Sequence, residues 1–225
     1  MDTARLSVVG TSHISRESAD VVVRAIRRIA PAIVCLELDP KRFYSLMHPQ
    51  KAHFSFLGIR RMGLKGWLFM VFAGWAEKKL GKLAGASPGW EMLSAVRECR
   101  KNNIKIALVD QDVEVTMKRL SGAITWKEKL RFVFDLASAP FSRRKFVFDL
   151  KKAPGNDLVE LLLKDALEKY PNVYRVLVKE RNSVIARNIA KVLKENAGNV
   201  VAVVGAGHEK EVKRILSQSI DAVNA

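Results

Sequence analysis

The chain has 225 residues, enough for one sizeable core or for one domain carrying a substantial insertion. At 48% apolar it has the make-up of a folded domain, which excludes a disordered or fibrous chain, and two cysteines exclude a disulfide framework. Its 39 Lys and Arg against 23 Asp and Glu leave +16, a charge that suits either a solvated basic surface or an anionic partner.

The first strand is expected at Leu6 to Gly10, short, β-branched and closed by glycine. Met1 to Arg5 runs directly into it, leaving no room for a signal peptide. A helix follows from about Ser15 to Ile29, with Ser15 as N-cap and Val21, Val22, Ala25, Ile26 and Ile29 on its apolar side, and Pro31 stops it. Strand two spans Ala32 to Leu38 and ends in the charged run Glu37 to Arg42. Phe54 to Leu83 is rich in Phe, Trp, Met and Leu with repeated Gly and Lys, and reads as an amphipathic insertion. Its longest apolar stretch, Trp67 to Ala76, falls short of the about 20 residues needed to span a bilayer as a helix.

A helix is expected from Trp90 to about Asn102, then strand three from Ile104 to Val109, ending in Asp110-Gln111-Asp112. The stretch 113–197 reads as mainly helical: a helix through Thr116 and Arg119, a basic Phe-rich piece divided by Pro140, a helix from about Asp157 to Lys169, and a long one from Asn172 to Glu195. Strand four, Val200 to Val204, and a closing helix from about His208 to Ser217 complete the chain. The alternation implies an α/β fold: a mostly parallel central sheet with flanking helices and an additional helical portion. Cys35 in a strand and Cys99 in a helix read as buried, reduced thiols.

Two tetrapeptides of one form, Gly10-Thr11-Ser12-His13 and Gly205-Ala206-Gly207-His208, each follow a strand, placing both histidines just past strand C-terminal ends. In a parallel α/β sheet that is the ligand-binding rim. The other two strands also end in ionisable groups, Glu37 with Asp39 and Asp110 with Asp112. Two imidazoles with one or two carboxylates suit a divalent transition metal that activates water, or a metal-free arrangement of general base and orienting group. The plainer alternative is a set of turn histidines and helix caps, as Asp39 would be with Pro40 at the first helical position.

Arg42, Arg119, Arg181 and Arg187 suit either a clamp on a substrate carboxylate or ion pairs that neutralise the acidic rim. Glu180 beside Arg181, between Val176-Leu177-Val178 and Val184-Ile185-Ala186, reads as a buried pair serving the site or as a solvated stripe. The insertion's aromatics fill a core or, with Lys65, Lys78, Lys79 and Lys82, face a membrane surface. Nucleic acid is the weaker expectation, since no zinc-finger, RNP-like or helix-turn-helix pattern is present.

The motifs Gly10-Thr11-Ser12-His13, Glu37-Leu38-Asp39 with Arg42, Pro88-Gly89-x-Glu91, Asp110-x-Asp112 with Thr116 and Arg119, Glu180-Arg181 and Gly205-Ala206-Gly207-His208 together resemble, in that order, the TraB (pheromone shutdown, PrgY) family. That family is related to a wider group with paired G-x-x-H motifs, the GumN, TIKI, ChaN and erythromycin-esterase-like proteins. The resemblance implies one TraB-like α/β domain over 1–225 and a metal-dependent peptidase-like hydrolase. His13, Glu37 and His208 would hold the divalent ion (Zn, Mn or Co), with Asp110 or Asp112 assisting. It also implies a peptide substrate or ligand, inactivation or sequestration of a peptide pheromone being the role assigned to such proteins, and leaves a homo-oligomer open. In archaeal relatives membrane-spanning segments follow the closing helix, which implies a domain on the cytoplasmic side of a membrane against anionic lipid. The competing expectation is a membrane-associated peptide-binding protein without catalysis. The chain departs from the family's pattern at Gln111, where Arg is common, and at Asn182, where an acid is common.

Overall fold

The computed structural model describes residues 3–11, 16–48, 89–138 and 155–224. The aromatic-rich insertion, the N-cap expected at Ser15 and His13 itself lie outside the described residues. Four parallel strands form one sheet in the order β1-β4-β2-β3: β1 Leu6–Thr11, β2 Ile33–Leu36, β3 Lys105–Leu108 and β4 Val200–Gly205. The helices are α1 Arg16–Ile29, α2 Pro40–Met47, α3 Trp90–Lys101, α4 Val113–Ala123, α5 Trp126–Ser138, α6 Gly155–Lys169, α7 Pro171–Tyr174, α8 Arg181–Glu195 and α9 Ala206–Asn224.

Side chains alternate across a strand, so each strand feeds both faces of the sheet. Ile33 and Cys35 of β2 and Val200, Ala202 and Val204 of β4 pack with Ile185, Ile189 and Leu193 of α8 and Val212 and Leu216 of α9. On the other face Val34, Leu36, Val201 and Val203 meet Val22 and Ile26 of α1 and Met92, Ala95, Val96 and Cys99 of α3. The result is a three-layer α/β/α unit whose central strand β4 is buried throughout, each fully covered aliphatic side chain contributing about 1.5–3 kcal/mol. Cys35 and Cys99 are free and buried, one in each core, and loss of solvation pushes their thiols up to about 12 and about 11. A third cluster, Met117 and Leu120 against Val176, fastens α4 to the helical portion.

Three details differ from the sequence expectation. Val21 is 43% exposed, because Ala19, Val22 and Ile26 occupy the packed face of α1 and Val21 is turned about 100° from Val22. The helix expected over Asn172–Glu195 is α7, a widened π segment Arg175–Glu180 and α8 in direct succession. The closing helix, expected from about His208, begins at Ala206 directly after β4, so His208 is its third residue.

Candidate functional site

The sheet register decides which groups share the C-terminal rim. Gly10 and Thr11 pair with Val204 and Gly205, so the starts of the two tetrapeptides lie side by side on adjacent strands. The Glu209 side chain, one residue after His208, lies over Gly10 in the space a Cβ there would enter. The ladder also continues past β2 and β3, with Glu37 N–H donating to Val203 O at 3.1 Å, Val109 N–H to Leu36 O at 3.0 Å and Asp110 N–H to Leu38 O at 3.4 Å. Glu37 shares the parity of Ile33 and Cys35, which directs it to the α8/α9 side.

There it meets Arg181, the first residue after the π segment. A widened turn of this kind is common at functional sites, and here it separates Arg181 from Glu180 in purpose. All five guanidinium N–H groups of Arg181 have an acceptor. Nε donates to Asp110 Oδ1 at 3.1 Å; Nη2 donates to Asp110 Oδ2 at 2.7 Å and Glu37 Oε1 at 2.6 Å; Nη1 faces Leu177 O and His208 Nε2, each at 3.4 Å. Burial is the largest influence on the guanidinium and works against its charge, but the bonds to Asp110 and the charge of Glu37 outweigh it and raise its pKa. The second oxygen of Glu37 accepts from Gly205 N–H at 2.6 Å, tying the carboxylate to the end of β4.

His208 is buried and completes the corner. Its Nδ1 lies 2.6 Å from Asn182 Oδ1, and an amide oxygen only accepts, so the ring proton sits on Nδ1. Nε2 on the other side of the ring faces Arg181 Nη1 and Glu37 Oε1, each 3.4 Å away. Thr11 Oγ1 donates to Val204 O at 3.3 Å beside it.

The remaining sequence-derived residues divide. Asp39 and Asp112 are helix caps: Asp39 Oδ1 accepts from Lys41 and Arg42 N–H ahead of α2, and Asp112 accepts from Glu114 N–H ahead of α4. Asp39 Oδ2 is buried with no hydrogen-bond partner among the described residues. The hydrogen bond from Lys41 holds the Asp112 carboxyl below its usual range. Arg42, 44% exposed in its side chain, reaches Asp110 Oδ2 at 3.1 Å from the solvent side. Glu180 and Arg181 are not paired with each other; Glu180 takes a two-point bond from Arg119, which lowers its pKa. Glu91 is buried in the first turn of α3, where the helix end favours a negative charge. Gln111 reaches Thr116 Oγ1 at 2.9 Å.

Asn182 and Glu209 were not singled out as site residues by sequence reasoning. The signal for Asn182 was present, since it follows Glu180-Arg181 directly; nothing local marks Glu209. As a metal site the corner offers two neighbouring donors of the right chemistry, His208 Nε2 and Glu37 Oε1, with the imidazole oriented through its other nitrogen as metal-ligating histidines are. Among the described residues no three His, Cys, Asp or Glu side chains form a metal cage, and His13 lies outside those residues.

A protein of Methanocaldococcus jannaschii, itself uncharacterized, is 32% identical over 94% of this chain and 53% of its own length. The human TraB domain-containing protein is 27% identical over 98% of this chain and 65% of its own length, and that of mouse 26% over the same shares. The chain thus spans about half to two thirds of the curated relatives it matches. The TraB/PrgY/gumN family model matches residues 2–219, nearly the whole domain whose strand ends build this rim, and the chain belongs to that family.

Proposed function

We propose that the rim is the hydrolytic centre of a peptidase-like enzyme, with His208 Nε2, Glu37 Oε1 and His13 from the neighbouring strand end as ligands of a divalent ion. The observation that carries this is the buried imidazole held through Nδ1 by Asn182, with Nε2 3.4 Å from an anchored carboxylate. Zinc, manganese or cobalt suits such donors, and when bound would supply a water of lowered pKa. The protein's part is positional: Gly205 N–H holds Glu37, Asn182 holds His208, and Asp110 holds Arg181. Arg42, which reaches Asp110 from the solvent side, would meet the carboxylate of a peptide.

The test is cleavage of a mixed peptide pool, read by mass spectrometry, with each of the three metals. The wild type should cut, and His208→Ala and Glu37→Gln should lose at least about a hundredfold in rate. No cleavage by the wild type with any of them contradicts the reading.

One observation favours a second reading, a non-catalytic peptide-binding protein held on an anionic membrane from the cytoplasmic side. Helix α5 exposes Trp126 (72%), Leu130 (67%) and Phe134 (71%), four residues apart and so along one face, with Lys127, Lys129 and Arg131 between them. No helix of the described residues is long and apolar enough to cross a membrane, so contact through this part would be at the surface. Binding to anionic but not neutral vesicles, without peptide cleavage, would select this reading.

A further inference from the structure

We propose that a hollow at the base of the sheet, a strand's length away from the rim, is a second ligand site that takes a small carboxylate with an apolar body. This site is separate from the rim and needs nothing of the chemistry proposed there.

The hollow measures about 300 Å³ and is lined by Ile26, Arg27, Ala30 and Pro31 at the end of α1 and by Asn102 and Ile104 after α3. Those two segments lead into β2 and β3, so the hollow lies at the sheet edge opposite Glu37 and Asp110. Its size is at the lower end of the range small-molecule sites use, and its lining has their make-up, mostly hydrocarbon with few polar groups.

The turns that shape it hold unusual backbone. The two non-glycine residues with positive φ among the described residues, Ala30 at 45° and Asn103 at 53°, both stand there. Ala30 closes α1 by donating its N–H to Ile26 O at 2.9 Å, a turn for which glycine is the unstrained choice. The alanine instead sets a methyl group on the wall of the hollow. Strained positions of this kind gather where a chain is shaped around a ligand.

Recognition falls to side chains, because the backbone N–H groups of Ala30, Asn102 and Ile104 are taken by their own helix ends. Arg27 gives Nε and Nη2 to the two carboxylate oxygens of Glu98, at 2.8 and 3.0 Å. Asn102 Nδ2 braces the same Glu98 from its other side, at 3.0 Å to Oε1 and 2.8 Å to the backbone O. The guanidinium is thereby held in place with its Nη1 donors uncommitted among the described residues. A fixed cationic donor beside aliphatic walls fits an anion that carries hydrocarbon with it. The surrounding charge agrees: segments 26–31 and 98–105 carry Arg27, Arg28, Arg100, Lys101 and Lys105 against Glu98 alone.

The experiment is a titration of the chain with benzoate followed in amide NMR spectra, with benzamide as the probe lacking the charge and acetate as the probe lacking the apolar body. Benzoate should bind with a Kd of about 1 mM or tighter, shifting the backbone amides of Ala30, Asn102 and Ile104 and the Nε–H of Arg27. Benzamide and acetate should each bind at least about tenfold more weakly, and Arg27→Gln should lose about tenfold for benzoate. If that variant fails to fold, Ala30→Gly decides. It keeps the turn, should melt at a higher temperature than the wild type, and should bind benzoate about threefold more weakly for want of the wall methyl. No saturable shift in the wild type, shifts confined to residues away from the hollow, or either control probe binding as tightly as benzoate overturns the proposal. Unchanged benzoate binding by either variant does the same.

Discussion

At the scale of single residues, Asn182 sets the orientation of the His208 ring. Its amide oxygen takes the hydrogen bond from His208 Nδ1 at 2.6 Å and adds no charge of its own to the corner. Asn182→Ala should therefore free the ring, and the protected Nδ1–H proton signal of His208 in the wild-type NMR spectrum should be lost from that of the variant. A signal that persists unchanged in the variant would show that the ring is oriented by something else. Arg181 illustrates what local sequence hides. Glu180-Arg181 between apolar triplets reads equally as a buried pair or a wet stripe, and neither is found: the π segment turns Arg181 into the acids and leaves Glu180 for Arg119.

At the scale of elements, the ends of β2 and β3 repeat one device. Each runs acid, any residue, acid; the first carboxylate faces Arg181 and the second caps the following helix. The capping half was legible, because Pro40 after Asp39 is a helix-start signal, whereas the inward half depends on strand parity and on which helix covers that face. The Asp112 cap has a testable pH dependence. Its pKa is lowered in the folded chain, chiefly by the hydrogen bond from Lys41, so its contribution is present above the ordinary value of 3.8 and is lost as pH falls below it. Asp112→Ala should cost about 1 kcal/mol in urea unfolding at pH 7 through loss of the cap. At pH 3 the gap between variant and wild type should shrink; an equal gap at both pH values would contradict the assignment.

At the scale of the whole molecule, the strands and most helices were legible because β-branched runs and 3.6-residue periodicity are local signals. Strand order is not local. Nothing in the sequence of β4 states that it lies between β1 and β2, yet that insertion is what sets Gly10 and Thr11 against Val204 and Gly205 and brings Glu37 within reach of His208. The same order places a thiol in each core, Cys35 on the α8/α9 side and Cys99 on the α1/α3 side, as expected for one sheet covered on both faces.

The measurement that bears most directly on the site is divalent-metal binding, by calorimetry and elemental analysis, to the wild type and to His13→Ala and His208→Ala separately. One imidazole from each of two adjacent strand ends should be needed, so the wild type should bind a stoichiometric ion and each variant should lose it. A wild type that binds none, or either variant holding metal as tightly as the wild type, would contradict a shared centre at this rim.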